Sequence, residues 1–398
     1  MNNQLVANGK TPGEDQKYFP VALPIVFFVL IRVIIFLSSN YEGLLGYGDA
    51  LHFFELAGLK GLPFINYWVE FPPFFPFLIK LLYGISHGQQ HVFVYGLYFI
   101  FLICDAINLY LFIHISRYLS DNNWQQRLWL YAAILVGLAY CWWYFDEIAV
   151  MFMLLSVDLI LTSNSNIRLG IIITLGILTK LFPILVLPVV WRYRNWNSAL
   201  KITVITVGAV LLIYGTLFSI SPDFTKASMF SQANKGSWET VWALIDGNYQ
   251  TGNFGSIDKR YVAQTAYLPT GNLPVVNSKI TLMLFGLGGL LLLLKSRMKS
   301  NLDIMHLLGV SWIIFLLWSP GWSPQWVLYL LPIVIITFPF MDGVLVAGLL
   351  VLINLLEWPV LLSRGYFWGL WITVPLRTLI LILVGILFAQ PLFKRFSI

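Results

Sequence analysis

Ionisable residues that could do chemistry gather in one short stretch of an otherwise apolar chain. Asp49, His52, Glu55 and Glu70 follow the first strongly apolar segment, residues 19–37, and are interspersed with aromatic residues and prolines. A carboxylate held by such neighbours could act as a general base and take a proton from an acceptor hydroxyl. Asp49 is therefore the candidate catalytic base, and His52, one helical turn further on, is the second candidate catalytic residue.

The spacing of these residues predicts a short helix that presents them together. Asp49 is a suitable N-cap for a helix over residues 50–60. On that helix Asp49, His52, Phe53 and Leu56 follow the i, i+3, i+4, i+7 pattern of a single face. We therefore expect Asp49 and His52 to point into one cavity.

The whole chain has the composition of a membrane protein. Its 398 residues are 59% hydrophobic and only 11% charged, whereas soluble proteins carry roughly 25% charged residues. Apolar runs of about 20 residues, long enough to cross a bilayer, recur throughout. The prediction is one all-α polytopic membrane domain over residues 1–398. It is expected to be a bundle of roughly 11–13 transmembrane segments, with interfacial helices in the first outer loop.

Charge and polarity divide the chain between the two sides of the membrane. Lys and Arg cluster at segment ends, which the positive-inside rule assigns to the cytoplasm together with the tail, residues 1–18. This leaves the first loop, residues 39–90, and the long polar loop, residues 221–277, on the outer side of a plasma (inner) membrane, where the active site is expected. Residues 169–190 have basic residues at both ends and two prolines in the second half. Either a broken hairpin or a single crossing fits that pattern.

Basic residues inside the apolar segments need a partner or a function, because a charge is costly in a bilayer. Lys180, at a predicted helix break, and Arg377, in the last apolar segment, could bind a phosphate group that enters from the bilayer. Pairing between helices or snorkelling to the surface is the alternative for both. Arg32 is expected to pair with an acidic residue of a neighbouring segment, either Asp105 or Asp158.

Further candidate substrate-binding residues come from the two outer loops and a late turn. Glu70 and Gln325 are expected to line the site, and Trp238 and Glu239, in the long polar loop, to cover it. A single base is sufficient when the leaving group departs as a stabilised anion, as a phosphate does. A hydrolytic glycosidase would more often need a second carboxylate as its acid, and Glu70 leaves that alternative open.

Several other classes of function are not supported by the residues. No Asp-x-Asp pair or cysteine cluster suggests a metal site, and no glycine-rich fingerprint suggests a nucleotide cofactor. His87 and His91 are four residues apart, but Gly88 lies between them and does not favour the helix that such a pair of ligands would need. Cys104 and Cys141 lie in apolar segments, so they are expected to be buried thiols. The net charge of +6 comes without a basic block with interleaved aromatics. We therefore expect no metal, no cofactor and no nucleic-acid partner.

Five short motifs are spread along most of the chain. They are Gly48-Asp49-Ala50, Glu70-Phe71-Pro72-Pro73, Cys104-Asp105, Lys180-Leu181-Phe182-Pro183 with Pro188, and Ser323-Pro324-Gln325-Trp326 before Pro332. Together they resemble motifs of the integral-membrane glycosyltransferases of the C superfamily (GT-C). Within that superfamily they resemble the bacterial polyprenyl-phosphate-mannose-dependent mannosyltransferases and, more distantly, the glycosylphosphatidylinositol mannosyltransferases.

The resemblance implies a GT-C-like helical bundle, a polyprenyl-phosphate-linked sugar as donor, inverting transfer and a catalytic aspartate in the first outer loop, which is Asp49 here. A late-loop histidine of the mycobacterial relatives corresponds to Gln325, and the second acid of the eukaryotic Asp-x-Asp motif corresponds to Leu51. The expected reaction is transfer of mannose or another hexose to a lipid or glycan acceptor, in contact with membrane lipids. The alternatives are a flippase or transporter of polyprenyl-linked sugars, and a non-catalytic scaffold.

Overall fold

The chain folds into α-helices joined by turns. A computed structural model describes residues 22–119, 123–250 and 254–393, so the predicted tail, residues 1–18, lies outside the described residues. Within the described ranges there is no β-strand, and extended pairing is limited to isolated bridges. The all-α prediction is confirmed.

Helices of very different length alternate along the described chain. They are α1 (Ala22–Ser38), α2 (Tyr41–Leu45), α3 (Ala50–Gly58), α4 (Phe74–Ile85), α5 (Gln90–Tyr118), α6 (Trp124–Gly137), α7 (Tyr140–Trp143), α8 (Asp146–Thr162), α9 (Asn166–Thr179), α10 (Leu187–Tyr193), α11 (Trp196–Ile220), α12 (Pro222–Phe230), α13 (Val241–Asp246), α14 (Ser278–Lys295), α15 (Asp303–Trp318), α16 (Val327–Thr337), α17 (Phe340–Leu355) and α18 (Leu370–Phe393). The short helices α2, α3, α12 and α13 belong to the two segments predicted to be outer loops.

Five helical segments of the described chain are long and apolar enough to cross a membrane. They are Gln90–Tyr118, Trp196–Ile220, Ser278–Lys295, Phe340–Arg364 and Phe367–Phe393. At 1.5 Å per residue even an 18-residue helix spans about 27 Å, close to the roughly 30 Å of a hydrocarbon core. The chain is therefore a multi-pass membrane protein. Six further apolar helices have only 10–17 residues, so the total number of crossings stays a prediction.

Residues 166–194 form a hairpin that turns at Lys180. α9 ends just before Lys180, whose backbone is extended, and a 3₁₀ turn leads into α10. The Arg194 guanidinium returns to the connection that precedes α9, where its Nη1 donates to Asn164 Oδ1 at 3.1 Å. Both ends of residues 169–190 therefore lie on the same side, and the broken hairpin is confirmed over the single crossing.

The three polar segments of the sequence meet at one end of the helices. The Trp68 N–H donates to the carbonyl of Arg260 at 3.0 Å, which joins the first loop to the long polar loop. The Trp238 N–H donates to the carbonyl of Pro320 at 3.2 Å, which joins the long polar loop to the late turn before Gln325. These contacts confirm the prediction that the segments lie together.

Local capping explains the helix inside the long polar loop. The Thr240 side chain accepts a hydrogen bond from the Ala243 N–H at 3.2 Å and so caps the start of α13. Gly247 ends the helix in the left-handed conformation, with φ 73°. Thr240 and Gly247 thereby fix the two ends of α13.

Candidate active site

Asp49 is held at the start of α3 by its backbone. Its N–H donates to the carbonyl of Trp143 at 3.0 Å, which fastens the first loop to α7. Gly48 lies so close to the same tryptophan that an added Cβ would stand 2.6 Å from the Trp143 Cβ and 2.8 Å from its Cα. Only a residue without a side chain fits this approach, so the Gly48-Asp49 sequence has a structural reason.

The far end of α3 is fixed by a lysine of α4. Lys80 Nζ donates to the carbonyl of Ala57 at 2.9 Å and also to that of Leu59. These are carbonyls that a helix C-terminus leaves without partners. On the inner face, Phe53 is fully buried and packs edge-on against Phe75, with ring centroids 4.8 Å apart. α3 is thereby a rigid support for Asp49 and the residues of its first turn.

The side chain of Asp49 does not act as the predicted N-cap. Asp49 precedes α3, but its carboxylate makes no capping hydrogen bond. Its backbone, with φ −92° and ψ 8°, is not in the extended conformation that an N-cap side chain needs. No hydrogen bond or ion pair from the described residues holds the carboxylate. The capping prediction is wrong, and the consequence is a carboxylate free to accept a proton.

The surroundings of Asp49 suit a general base. Burial raises the pKa of Asp49 to about 6, although the charges of His52, Lys180 and Lys235 oppose this and only Glu70 adds to it. These mutual effects place the five side chains within electrostatic reach of one another. We call them, together with Glu239, the polar cluster. A base is most effective when its pKa lies near the working pH.

Glu70 is the ionised anchor of the polar cluster. Its Oε1 lies 3.0 Å from His52 Nε2 and accepts from Arg260 Nη2 at 2.8 Å, while Arg260 Nη1 lies 2.7 Å from Oε2. Burial disfavours the charge, but Arg260 and His52 outweigh burial and lower the pKa of Glu70 to about 2. A carboxyl group with this pKa is a poor proton donor. The arrangement therefore does not support Glu70 as the acid of a hydrolase.

Glu70 is the main reason that the pKa of His52 is raised. Burial alone would lower the pKa of His52, yet the hydrogen bond to Glu70 and the charges of Glu70 and Asp49 raise it. The imidazole is only partly buried, with 34% of its side-chain surface exposed. His52 thus presents a partly positive edge beside Asp49, as the helical spacing predicts.

Lys180 reaches the polar cluster from the turn of the α9–α10 hairpin. Its Nζ donates to both carboxylate oxygens of Asp146, at 2.7 Å and 2.8 Å. The same Nζ lies 4.9 Å from the ring centroid of Phe145. Lys180 therefore forms the interhelical ion pair that the sequence leaves open. Its charge also acts on Asp49, so it still contributes to the field at the base.

Lys235 is a functional candidate that sequence reasoning missed. Its Nζ lies 3.9 Å from the ring centroid of Trp238 and 5.6 Å from that of Phe254. In the described part of the chain no carboxylate forms an ion pair with it. Burial lowers the pKa of Lys235 to about 8, although Glu70 and Glu239 act in the opposite direction. At neutral pH it is a cation available to an anionic ligand.

Arg377 lies in an ion pair beside the polar cluster. Its Nη1 donates to Glu357 and its Nη2 to the backbone carbonyl of Glu239. The guanidinium stacks over Trp322, with 4.4 Å between its carbon and the ring centroid. Pairing between helices is therefore its observed role, and Lys235 is the less compensated cation.

Glu239 combines a strained backbone with a buried carboxyl group. Its φ of 52° is in the left-handed region, which is uncommon for a residue other than glycine and costs of order 1–3 kcal/mol. Its Oε2 is buried and has no hydrogen-bond partner among the described residues. Burial and the neighbouring Glu357 raise the pKa of Glu239 well above its usual range. A protonated carboxyl group at this position can donate a hydrogen bond to a ligand.

Trp238 and Gln325 lie where the long polar loop meets the late turn. Trp238 Nε1 donates to Ser323 Oγ at 3.4 Å. The indole covers Gly321 so closely that a Cβ there would stand 2.3 Å from the ring. Gln325 Oε1 is buried, and no partner for it exists among the described residues. Trp238 therefore packs over the late turn at this junction, its predicted position over the active site stays a prediction, and Gln325 keeps an unused acceptor.

Two further pairs lie among the helices. Arg32 Nη2 is 3.9 Å from Asp105 Oδ2, which confirms the expected pairing and selects Asp105. Asp158 instead pairs with His114 on α5.

One group of possible metal ligands occurs in the described ranges, and it does not include Asp49. Asp105, Cys141 and Glu147 are all buried, and one ligand atom of each lies within 4.8 Å of the others. The guanidinium of Arg32 stands against Asp105 and supplies positive charge there. Cys141 and Cys104 are both buried free thiols, as predicted.

The predicted site residues divide into two neighbouring groups. The polar cluster joins Asp49, His52, Glu70, Lys180 and Glu239. Trp238 lies against the cluster through Lys235, whereas Arg377 and Gln325 belong to the adjoining junction with the late turn. Sequence reasoning missed four charged residues that complete these groups: Asp146, Lys235, Arg260 and Glu357.

The four missed residues differ in how well they could have been found. Asp146 and Glu357 stand at the ends of apolar segments, where an acid is a visible signal. Lys235 and Arg260 lie in a polar stretch, where a basic residue is usually solvated. The role of Arg260 depends on its ion pair with Glu70, 190 positions away in the chain, and that of Lys235 on the folding of the long polar loop around Trp238 and Phe254.

Comparisons with known proteins give no match. No protein-family model, no curated protein and no solved structure is significantly similar to the chain. The geometry of the site is accordingly the basis of the functional proposal.

Proposed function

We propose that the protein is a membrane glycosyltransferase of the GT-C type, which transfers a sugar from a polyprenyl-phosphate donor to a hydroxyl group of a lipid or glycan acceptor. The observation that carries the proposal is the unbonded carboxylate of Asp49, with its raised pKa, beside the cations Lys180 and Lys235. A base next to fixed positive charge suits transfer to a hydroxyl with an anionic leaving group. The resemblance of the short motifs to GT-C enzymes supports the same assignment.

The proposed step uses one base and one leaving group. Asp49 takes the proton of the acceptor hydroxyl while the oxygen of that hydroxyl forms a bond to the anomeric carbon. The bond from that carbon to the phosphate oxygen breaks, and polyprenyl phosphate departs with the electron pair. Attack on the face opposite the phosphate inverts the anomeric configuration. No second acid is needed, which agrees with an ionised Glu70.

Lys235 is the proposed ligand of the departing phosphate. It combines a free ammonium group with partial burial, so its attraction to a phosphate is less screened than that of a surface lysine. Lys180, already paired with Asp146, adds to the field from the other side. The protonated Glu239 and the free amide oxygen of Gln325 are proposed to bind hydroxyl groups of the sugar, mannose or another hexose.

The distribution of basic residues supports a non-cytoplasmic site. α8 begins at Asp146, which pairs with Lys180 of the polar cluster, and ends at Thr162, close to Arg194. At that opposite end the turn at Arg192 contacts the basic turn that contains Arg297. By the positive-inside rule this end faces the cytoplasm. We therefore propose that the polar cluster opens to the outer face of a plasma (inner) membrane.

The test is a donor assay with purified protein in detergent. Radiolabelled polyprenyl-phosphate sugars are supplied one at a time with a membrane-lipid extract as acceptor, and release of polyprenyl phosphate is measured. We expect turnover with at least one donor and a loss of roughly 10²–10⁴-fold in Asp49→Asn. Asp223→Asn, at an exposed acid of the long polar loop, is the control. Unchanged turnover in Asp49→Asn would contradict the proposal.

A transporter of polyprenyl-linked sugars is the second candidate. The observation in its favour is the charged pair Arg32–Asp105, which is buried among the helices, because transporters hold ionisable residues in this region. Binding of polyprenyl phosphate without release from any sugar donor would favour transport over transfer.

A further inference from the structure

A second cavity lies beside the polar cluster. Its volume is about 700 Å³, within the roughly 300–1,000 Å³ of small-molecule sites. It is bounded by the end of α13, by residues 270–272 and by the start of α18. The side chains that characterise it are Asn248, Tyr249, Gln250, Asn272, Trp368 and Trp371.

One wall of this cavity is a platform of exposed aromatic rings. Trp368 and Trp371 are 61% and 57% exposed. The ring centroids of Tyr249 and Trp371 are 6.1 Å apart, with 43° between the planes. The face of an aromatic ring carries partial negative charge. It therefore attracts the polarised C–H groups on the flat side of a sugar ring.

The rest of the lining offers hydrogen-bonding groups in fixed positions. Asn248 Nδ2 donates to Ser237 Oγ at 3.0 Å, and Asn248 Oδ1 accepts from the Asn272 N–H at 2.7 Å. Asn272 Nδ2 donates to the carbonyl of Asp246 at 2.9 Å. Amide and hydroxyl groups that are already oriented can bind sugar hydroxyls at little entropic cost.

The described lining of the cavity contains no acidic or basic side chain. A phosphate or carboxylate would find no cation there, so an anionic headgroup is not the natural occupant. An acyl chain would prefer a wall without amides and hydroxyls. A lining that combines aromatic rings with neutral polar groups matches a ligand with both C–H and O–H faces. We propose that this cavity binds a neutral oligosaccharide.

This site is separate from the catalytic chemistry proposed above. Neither Asp49 nor Lys235 lines the cavity, although Ser237, two residues after Lys235, does. The segment 235–239 is thus shared between the polar cluster and the wall of the cavity. Binding there does not require the base, so it can be measured without turnover.

The test is saturation-transfer NMR and a binding titration with neutral hexose oligosaccharides. The full chain is kept in a detergent without a sugar headgroup, because a glycoside detergent would occupy the site. We expect binding that weakens by roughly 2- to 10-fold in Trp371→Ala and in Gln250→Ala. Trp196→Ala, at a tryptophan that is 69% exposed on α11, is the matched control and should bind normally. Trp371→Phe, which retains a ring, should bind better than Trp371→Ala.

The results of these measurements decide whether the cavity binds an oligosaccharide. Equal affinity in Trp371→Ala and the unmodified chain, or no detectable binding, would overturn the proposal. Loss of binding when phospholipid vesicles are added would also overturn it and mark the tryptophans as membrane anchors. Binding that persists in Asp49→Asn would support the site even if the transferase assay fails.

Discussion

At the scale of single residues, the pKa values of two neighbouring carboxyl groups, Asp49 and Glu70, are shifted in opposite directions. Glu70 is bound by Arg260 and His52, which lower its pKa to about 2. Asp49 has no such partner, and burial raises its pKa to about 6. Environments that separate two pKa values in this way also separate two roles. Glu70 orients the histidine as a permanent anion, whereas Asp49 can exchange a proton near neutral pH.

The pH dependence of transfer should follow Asp49 and Lys235. Asp49 acts as a base only when ionised, so kcat/KM should rise as the pH passes about 6. Lys235 binds phosphate only when protonated, so kcat/KM should fall as the pH passes about 8. Arginine keeps its charge throughout this range. In Lys235→Arg we therefore expect the alkaline limb of the kcat/KM profile to move to higher pH and the acidic limb to stay at the same pH.

Lys259→Arg, at an exposed lysine of the same loop, is the control and should leave both limbs unchanged. An active Lys235→Arg enzyme with an unmoved alkaline limb would remove Lys235 from the phosphate site. Rates measured with saturating acceptor separate this effect from titration of the acceptor itself.

The candidate catalytic pair, Asp49 and His52, was within reach of sequence reasoning because it is local. Asp49 and His52 are three residues apart, so helical geometry alone predicts that they face one way. Arg260 was out of reach because Glu70, its partner in the polar cluster, is distant in sequence, and Lys235 because its burial and its effect on Asp49 depend on the folding of the long polar loop. Glu70 and Arg260 are 190 positions apart, and no periodicity connects such residues.

At the scale of elements, short loops and turns carry the site, and the long helices support it. The charge of Lys180 acts on Asp49 because the α9–α10 hairpin turns at the level of the first loop. The sequence could not decide between hairpin and crossing, because basic ends and prolines are compatible with both. The decisive contact, between Arg194 and Asn164, is tertiary.

Gly48→Ala tests how closely the first loop must approach α7. The new Cβ would stand 2.8 Å from the Cα of Trp143, which is a backbone atom that cannot rotate away. We expect the start of α3 to shift and kcat to fall by on the order of 10²-fold, as for an ångström-scale misplacement. Gly84→Ala on α4, where a Cβ meets nothing within 4 Å, is the matched control. Full activity in Gly48→Ala would show that this approach does not position Asp49.

Glu70→Gln tests the tie between the first loop and the long polar loop. The substitution leaves the buried guanidinium of Arg260 without its carboxylate, which typically costs about 3–5 kcal/mol. We expect a clearly lower Tm in detergent at pH 7. Glu55→Gln, at an exposed glutamate of α3, should leave the Tm unchanged.

The effect of Glu70→Gln on the Tm should depend on pH. The pKa of Glu70 is lowered in the folded chain, so its contribution is complete above the ordinary value of 4.5 and is lost as the pH falls towards about 2. The difference in Tm between the unmodified chain and Glu70→Gln should therefore shrink over that interval. A constant difference would mean that the variant acts through packing rather than charge.

At the scale of the whole molecule, the two ends of the helical bundle differ in chemistry. One end holds the polar cluster, the neutral cavity and the exposed Trp368 and Trp371. The other collects arginines and lysines in the turns between helices. Composition predicted this division, because the positive-inside rule depends only on counts of Lys and Arg. The meeting of three polar segments at one end follows from the topology and is visible in their backbone hydrogen bonds.

Cysteine labelling measures which end faces outward. The native thiols, Cys104 and Cys141, are buried, so a membrane-impermeant maleimide should label only cysteines that are introduced at exposed positions. Gln264→Cys, in the long polar loop, should react in intact cells. Asn197→Cys, at the basic end, should react only after permeabilisation. The reverse pattern would put the polar cluster in the cytoplasm, where the proposed outward-facing use of a polyprenyl-phosphate donor would not hold.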